Sequence, residues 1–258
     1  MIYGLKWVNY GTRSGWMRTG NRPGALLCPE RTDGWAKAVR VACAAEGGQI
    51  DMVQCYDAGI LSAGPLGANL ASRSLDRLAG YAMLEVPEVF STAFTPAYLG
   101  EPLAWVGPEH DPISARLSGF DGTDFQELTD DERRLAVFGP DHSQEQSRLW
   151  VDAWVRVLTD PMFDPAVMSA SVDTMKRISG YAFGSIPHVP SPVDIAVLSF
   201  AVNNPAGAEV LWRSLRSNDW QEVISLAASG RFGPKDANGA PLWPSRVERT
   251  RIALEAEL

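Results

Sequence analysis

The sequence predicts a mainly α-helical fold of the α+β class, with one small β element in its first third. Apolar residues recur at steps of three and four through most of the chain, whereas glycines in residues 51–64 are incompatible with a helix there. The chain has 258 residues, of which 45% are hydrophobic and 21% are charged. These values are ordinary for a folded protein with one large core, so a disordered chain is excluded.

The first helix is predicted to begin at Gly34, after an irregular arm of residues 1–31. The arm is rich in Gly, Arg, Trp and Pro, with one short strand expected at residues 5–10. Thr32-Asp33 can cap the helix, and Gly47-Gly48 can end it because glycine readily adopts the left-handed conformation of a C-terminal cap. The predicted apolar face consists of Trp35, Ala38, Val39, Ala42 and Cys43.

The β element is predicted as a ribbon confined to residues 51–64. Its apolar residues fall in two short segments between turn residues, which is typical of strands: Val53, Cys55, Ile60 and Leu61. A helix is predicted over residues 68–83, and a short helix or loop over residues 87–96. Residues 100–127 are rich in proline and glycine and are predicted to form a loop bordering a cleft.

The remaining chain predicts a lobe of helices. The helix that follows Ser191-Pro192 is apolar nearly all round, which is typical of a central, buried helix. A glycine- and proline-rich link is expected at residues 230–244. The helical patterns cover residues 143–158, 165–181, 193–202, 206–216, 220–228 and 245–257.

Charge and residue content argue against several function classes. The net charge of −8 and the pI of about 5.0 argue against a nucleic-acid partner, which normally requires a basic patch. The three cysteines lack CxxC spacing and the three histidines lack an i, i+4 pair, so neither a metal nor another cofactor is expected. Cys43 is interpreted as a small core residue. No apolar run suits a membrane span or a signal peptide, so synthesis in the cytoplasm without a leader is expected.

Glu46, the last residue of the first predicted helix, is one candidate for acid chemistry. The negative end of the helix macrodipole disfavours an anionic side chain by about 0.3 to 1 kcal/mol. The apolar neighbours Val41, Ala42 and Ala45 add desolvation if this face is buried. Both effects favour the protonated form that a general acid needs. The alternative is an ordinary surface glutamate.

Asp57, in the predicted ribbon, is the second candidate. Opposite a glutamate on a helix, such a carboxylate can stabilise an oxocarbenium-like transition state or position water during glycosidic cleavage. The alternative is a turn aspartate that binds its own backbone before Gly59. Asp51 is a further candidate for the same role. The nucleotide-binding patterns GxGxxG and the P-loop are absent, as is the GxSxG pattern of serine hydrolases.

Six of the nine tryptophans fall into two groups. Trp7, Trp16 and Trp105 lie in segments without helical periodicity, where their rings can stack on sugar faces. Trp150, Trp154 and Trp212 lie in the apolar stripes of predicted helices and are expected in the core.

Two segments resemble the lysozyme-like peptidoglycan hydrolases of bacteriophages and related bacterial proteins. One is Glu46-Gly47 followed by residues 56–69, YDAGILSAGPLGAN, which is similar to the family's Leu-Ser-Phe-Gly-Pro-Leu-Gln-Trp-Asn segment after its aspartate and glycine. The other is residues 193–200, VDIAVLSF, which looks like the family's apolar helix. The resemblance covers residues 35–228 loosely, and residues 46–69 are its specific part.

This resemblance implies a lysozyme-like fold, in which a helical lobe and a small β ribbon border a cleft. It also implies a division into the arm at residues 1–31, a lysozyme-like domain at residues 32–229, and a Gly/Pro link with a C-terminal helix at residues 230–258. The family's general acid maps to Glu46, and its water- or sugar-positioning aspartate maps to Asp57. The expected substrate contacts are Tyr56, Ser62, Asn69 and Trp105.

The function implied is a glycoside hydrolase that cleaves the glycan strands of peptidoglycan at the bacterial cell wall. The family's Gln-Trp is Gly67-Ala68 here and its phenylalanine is Ala63, which removes polar and aromatic groups. These departures favour an alternative, a weak or inactive lysozyme-like component of a phage tail, baseplate or contractile injection particle. Its partners would be tail or baseplate proteins docked on the arm. A third interpretation is a helical binding module without an active site.

Overall fold

The computed structural model describes residues 4–11, 13–72, 74–94, 129–184, 190–230 and 244–258. Within these ranges the chain forms ten α-helices and five short strands, so the prediction of a mainly α, α+β fold is confirmed. Contacts divide the chain into unit 1, residues 1–22 and 49–170, and unit 2, residues 23–48 and 171–258. The predicted domain boundaries after residues 31 and 229 divide the chain by sequence position. The contacts within the two units do not test them.

Unit 1 contains one antiparallel sheet in which the five strands lie in sequence order. The strands are β1 Lys6–Tyr10, β2 Arg13–Arg18, β3 Val53–Gln54, β4 Ser62–Ala63 and β5 Ala68–Asn69.

The predicted strand at residues 5–10 is therefore confirmed, but the prediction that β structure is confined to residues 51–64 is wrong. Trp7 pairs directly with Trp16 across β1 and β2, and cross-strand aromatic pairs stabilise such hairpins. A Cβ atom at Gly15 would lie 2.6 Å from the carbonyl oxygen of Cys55. Glycine at this position therefore allows β2 to approach the chain that follows β3, which extends the sheet into the arm.

The helix predicted from residue 68 begins later, as α2 Ser74–Glu85. Local side-chain hydrogen bonds occupy the backbone before it. The amide of Asn69 donates to Ser74 Oγ at 2.8 Å, and the amide of Ser72 donates to Asn69 Oδ1 at 2.8 Å. Such bonds compete with helix formation, so the chain makes β5 and a turn there instead.

The other helices of unit 1 surround an aromatic cluster. They are α3 Pro87–Phe94, α4 Asp130–Phe138 and α5 Gln144–Thr159, followed by a 3-10 turn at Pro161–Phe163. Trp150 and Trp154 are buried as predicted, and the Phe94 and Trp154 ring centroids lie 5.2 Å apart. Helix α4 was not predicted from the sequence; its buried Arg133 pairs with Asp76 of α2 at 3.1 Å.

Unit 2 is built on α1 Gly34–Glu46, which begins and ends as predicted. The Asp33 carboxylate accepts from the amide of Ala36 at 3.1 Å, and Gly47 adopts a φ of 70° as the left-handed C-terminal cap. A 3-10 turn at Gly24–Leu26 precedes α1. Helix α6, Asp164–Phe183, has its residues 171–183 in this unit.

Helix α7, Pro192–Ala201, is the central helix of unit 2, as its apolar sequence predicts. Every residue from Val193 to Ala201 is buried, and Ser191 and Asp194 form a capping box at the helix start. Helix α1 packs against both α7 and α10, Pro244–Glu257. The remaining helices are α8 Pro205–Arg213 and α9 Trp220–Ala228.

Candidate functional site

Glu46 is the last residue of α1, and its carboxylate is held by two side chains of unit 2. Oε1 forms an ion pair with Nη1 of Arg246 on α10. Oε2 accepts a hydrogen bond of 3.2 Å from Nδ2 of Asn203, in the turn after α7. The Glu46 side chain is nevertheless 24% exposed. Because Oε1 is itself buried, the two partners fix the orientation of the carboxylate while another part of the side chain faces solvent.

Arg246 is the buried member of this ion pair, with a side chain only 4% exposed. Its Nε and Nη2 donate to the carbonyl oxygen of Ser199 at 3.1 and 2.6 Å. Burial lowers the pKa of Arg246, and the adjacent Glu46 opposes that shift. A guanidinium in this position needs its anion, because an uncompensated buried charge is strongly destabilising.

The neighbouring Cys43 lies fully buried on α1, which confirms its assignment to the core. Burial, and secondarily the negative charge of Glu46, raise the pKa of the Cys43 thiol well above its ordinary value. A thiol that stays protonated is a poor nucleophile and a poor metal ligand. Cys43 therefore contributes packing next to Glu46.

Asp57 of unit 1 lies in the turn between β3 and β4, and both of its oxygens have partners. Oδ2 accepts from Nε2 of Gln54 at 2.6 Å, and Oδ1 accepts from the amide of Gly59 at 2.8 Å. The hydroxyl of Ser62 lies 3.5 Å from the same Oδ1. These are the contacts of a turn-forming aspartate, the alternative to catalysis that the sequence left open.

The residues predicted around Asp57 are partly brought together. Ser62 and Asn69 are paired across β4 and β5, and a Cβ at Gly59 would lie 2.7 Å from Ser62 Oγ and 2.9 Å from Asn69 Cβ. We call Asp57, Gly59, Ser62 and Asn69 the ribbon cluster. Tyr56 is half-buried directly before it.

The other predicted residues are described apart from the ribbon cluster. Glu46 belongs to unit 2, and the cluster belongs to unit 1. Trp105 lies outside the described residues. Asp51 is fully buried, where it pairs with Arg18 at 2.6 Å, so it is part of the core of unit 1.

Trp7 and Trp16, the other predicted sugar-stacking residues, contact each other. Their ring centroids lie 5.4 Å apart in an edge-to-face arrangement. The indole N–H of Trp16 donates to the carbonyl oxygen of Gln144 at 2.8 Å, and the guanidinium of Arg148 lies 5.5 Å from the Trp16 ring centroid. Both rings are half-buried, so each retains some exposed surface.

Arg246 and Asn203 are the functional candidates that the sequence did not single out. Asn203 lies in an Asn-Asn-Pro turn, which indicates a helix start rather than a contact with a distant carboxylate. Arg246 is one of three arginines on a polar terminal helix. Nothing local marks it as the buried one, so only the packing of α10 against α1 identifies it.

The described ranges of the chain contain neither a metal-binding cluster nor a membrane-spanning helix. No group of three or more His, Cys, Asp or Glu side chains there is placed to hold a metal ion. None of the helices in those ranges has the length and apolar content needed to cross a membrane. Comparisons with protein-family models, curated proteins and solved structures found no match for this chain.

Proposed function

We propose that this chain is a lysozyme-like glycoside hydrolase that cleaves the glycan strands of bacterial peptidoglycan, with Glu46 as the reacting carboxylate. The observation that carries the proposal is the setting of Glu46. It ends a buried helix, two side chains orient its carboxylate, and its side chain remains 24% exposed. A carboxylate held in this way can transfer a proton to or from a bound sugar. The lysozyme-like fold and the cell-wall substrate are parts of the same proposal.

Arg246 and Asn203 would position the Glu46 carboxylate in this mechanism. The Arg246 guanidinium holds Oε1 in an ion pair, and the Asn203 amide nitrogen donates to Oε2. A reacting group that is held in one geometry beside a bound glycan lowers the entropic cost of reaching the transition state. The carboxylate would therefore meet the glycosidic oxygen in a fixed orientation.

The ribbon cluster has a supporting part in the proposal. Because Gln54, Gly59 and Ser62 already engage the oxygens of Asp57, this aspartate shapes the ribbon. Tyr56, Ser62 and Asn69 are the polar side chains that this part of unit 1 would offer to sugar hydroxyls. Glu46 is the one carboxylate to which the proposal gives a part in the reaction.

The decisive experiment compares Glu46→Gln with Glu209→Gln, an exposed glutamate of unit 2 that pairs with Arg213. Purified peptidoglycan is incubated with each protein, and released sugar fragments are measured by mass spectrometry below the melting temperature of each variant. We expect Glu46→Gln to release sugar fragments at a rate at least about a hundredfold lower than that of the wild type. A general acid–base group contributes roughly that factor or more to the rate. Full activity in Glu46→Gln, or no release by the wild type, would reject the proposal.

A second function is favoured by the partners of the two carboxylates. Glu46 is ion-paired with a buried arginine, and Asp57 is satisfied within its own turn. A lysozyme-like frame that binds wall polymer as part of a tail, baseplate or injection particle needs both contacts and no catalysis. This alternative predicts that wild type and Glu46→Gln co-sediment equally with insoluble peptidoglycan and release nothing. It also predicts co-purification with an assembled particle.

A further inference from the structure

Unit 2 contains a groove with a volume of about 640 Å³, which lies against the 3-10 turn, α1 and α10. This volume is within the range of small-molecule binding sites, roughly 300 to 1,000 Å³. Most of the wall is apolar, and Leu26, Ala44, Ile252 and Ala253 contribute to it. Leu26 and Ile252 are 64% and 53% exposed. Large apolar side chains exposed beside a groove are typical of a binding surface.

The polar part of the groove is positively charged. Three cationic side chains, Lys37, Arg40 and Arg249, line it together with one carboxylate, Glu257. This balance contrasts with the net charge of −8 for the whole chain. The groove therefore favours an anionic ligand on an otherwise acidic protein.

Arg40 and Glu257 form an ion pair within this wall, and their charged groups are engaged by contacts inside the protein. The Arg40 side chain is 5% exposed, and its Nε and Nη2 donate to the two Glu257 carboxylate oxygens at 2.6 and 2.7 Å. Its Nη1 donates to the carbonyl oxygens of Cys28 and Arg31 at 3.0 and 2.9 Å. The pair fixes the geometry of the groove and cancels its own charge.

Lys37 and Arg249 supply the charge that remains, and the contact of Lys37 places its ammonium group at the groove. Its Nζ donates to the main-chain oxygen of Glu257 at 2.5 Å. An ammonium group has three donors, so two remain for a ligand. Because this contact ties the ammonium to α10, Lys37 is held at the groove rather than extended into solvent.

We propose that this groove binds a single-chain amphiphilic carboxylate, whose head group pairs with Lys37 and whose alkyl chain lies against Leu26, Ala44 and Ile252. The chain would cover the exposed faces of Leu26 and Ile252, which supplies an apolar driving force. The site is independent of glycan cleavage, since its lining does not include Glu46 or the ribbon cluster.

The test is a calorimetric titration of the full chain with dodecanoate below its micellar concentration. We expect saturable binding of one dodecanoate per chain. Lys37→Gln is expected to weaken the affinity about tenfold, because one charge-assisted hydrogen bond is lost. Lys6→Gln, an exposed lysine of unit 1, should leave the affinity unchanged and serves as the matched control.

A second pair of variants separates the groove from general surface adsorption. Ala44→Trp fills the groove and is expected to abolish binding. Ile252→Asp changes an exposed position, so it is the test variant to use if Ala44→Trp does not fold. Equal dodecanoate binding by the wild type and the folded variants would overturn the proposal.

Three other results would also overturn it. They are no dodecanoate binding by the wild type, equally tight binding of dodecyltrimethylammonium, and binding of anionic lipid vesicles without binding of dodecanoate monomers. The last result would assign the surface to a membrane instead. Failure of this proposal leaves glycan cleavage untouched, because the two assays measure different sites.

Discussion

Glu46 and Asp57 are close in sequence and differ in how their surroundings are built. The partners of Asp57 lie three, two and five residues away, at Gln54, Gly59 and Ser62. Glu46 instead contacts Asn203, 157 residues away, and Arg246 on the last helix. Asp57 therefore organises a turn, whereas Glu46 connects three distant parts of unit 2. Two acids that look alike in the sequence can be distinguished only by the residues that bind their carboxylates.

The largest difference is expected on removal of the Glu46 carboxylate. Glu46→Ala should lower the free energy of unfolding by about 3 kcal/mol, because Arg246 is left as a buried, uncompensated cation. Urea unfolding followed by circular dichroism measures this value. The matched control is Glu209→Ala, which removes an exposed pair with side chains 74% and 38% exposed and should cost about 0.5 kcal/mol or less. Equal losses in the two variants would show that the Glu46–Arg246 pair contributes no more to the free energy of unfolding than an exposed ion pair does.

The ribbon cluster can be disrupted most strongly at Gly59. Gly59→Ala places a Cβ 2.7 Å from Ser62 Oγ and 3.0 Å from Asp57 Oδ1, so the cluster has to shift. We expect a loss of about 2 kcal/mol in the free energy of unfolding, as for other overpacked sites. Gly180→Ala is the control, since no atom lies within 4 Å of its added Cβ. That helical position should instead gain about 0.5 to 1 kcal/mol.

Asp51 adds a third case to the comparison. It is a fully buried carboxylate, and its partners lie farther away in sequence than those of Asp57 but nearer than those of Glu46. Burial by itself raises the pKa of Asp51, but hydrogen bonds from Arg18, Arg22 and Asn21 hold that pKa below its usual value. Its ionised form therefore stabilises the fold at pH values above the unfolded pKa of about 3.9, and this contribution is lost as the pH falls through the folded value.

The corresponding measurement is the urea midpoint between pH 6 and pH 2. The wild type should lose stability on acidification. Asp51→Asn should lose less over the same pH range, since position 51 then carries no carboxylate that can be protonated. Parallel curves for the two proteins would contradict this interpretation.

The smallest effect is expected for Asp57→Asn. The amide oxygen can still accept from the Gly59 amide and the Ser62 hydroxyl, whereas the nitrogen that replaces Oδ2 faces the donor Nε2 of Gln54. The Gln54 hydrogen bond is therefore lost unless the Gln54 amide turns its oxygen towards residue 57. We expect a decrease of about 0.5 to 1 kcal/mol in the free energy of unfolding. Asp219→Asn, an exposed local N-cap on α9, should change by a similar or smaller amount. A loss as large as that of Glu46→Ala would contradict the local character of Asp57.

The same contrast explains what the sequence could predict. The ends of α1 were predicted correctly because Asp33 and Gly47 act on the adjacent backbone. The burial of α7 followed from its own composition, and the turn contacts of Asp57 were one of two open interpretations. These features depend on residues only a few positions apart.

The features that were missed depend on distant contacts. The pairing of β2 with β3 requires Gly15 to let the backbone near Cys55 approach, and no local pattern indicates that partner. The ion pair of Glu46 requires α10 to pack on α1, so Arg246 could not be distinguished from the other arginines of that helix. Periodicity predicts elements well and tertiary partners poorly, because it contains no information on which elements meet.

The packing of α1 against α10 also has a consequence for how the newly made chain folds. Helix α1 ends at Glu46, and its partner α10 begins only at Pro244. At ribosomal rates the interval between them is on the order of ten seconds or more, during which the α10-facing side of α1 has no native cover. Contacts between such distant segments also slow folding. Soluble yield in expression should therefore depend on temperature and chaperone supply more than on the stability of the finished protein.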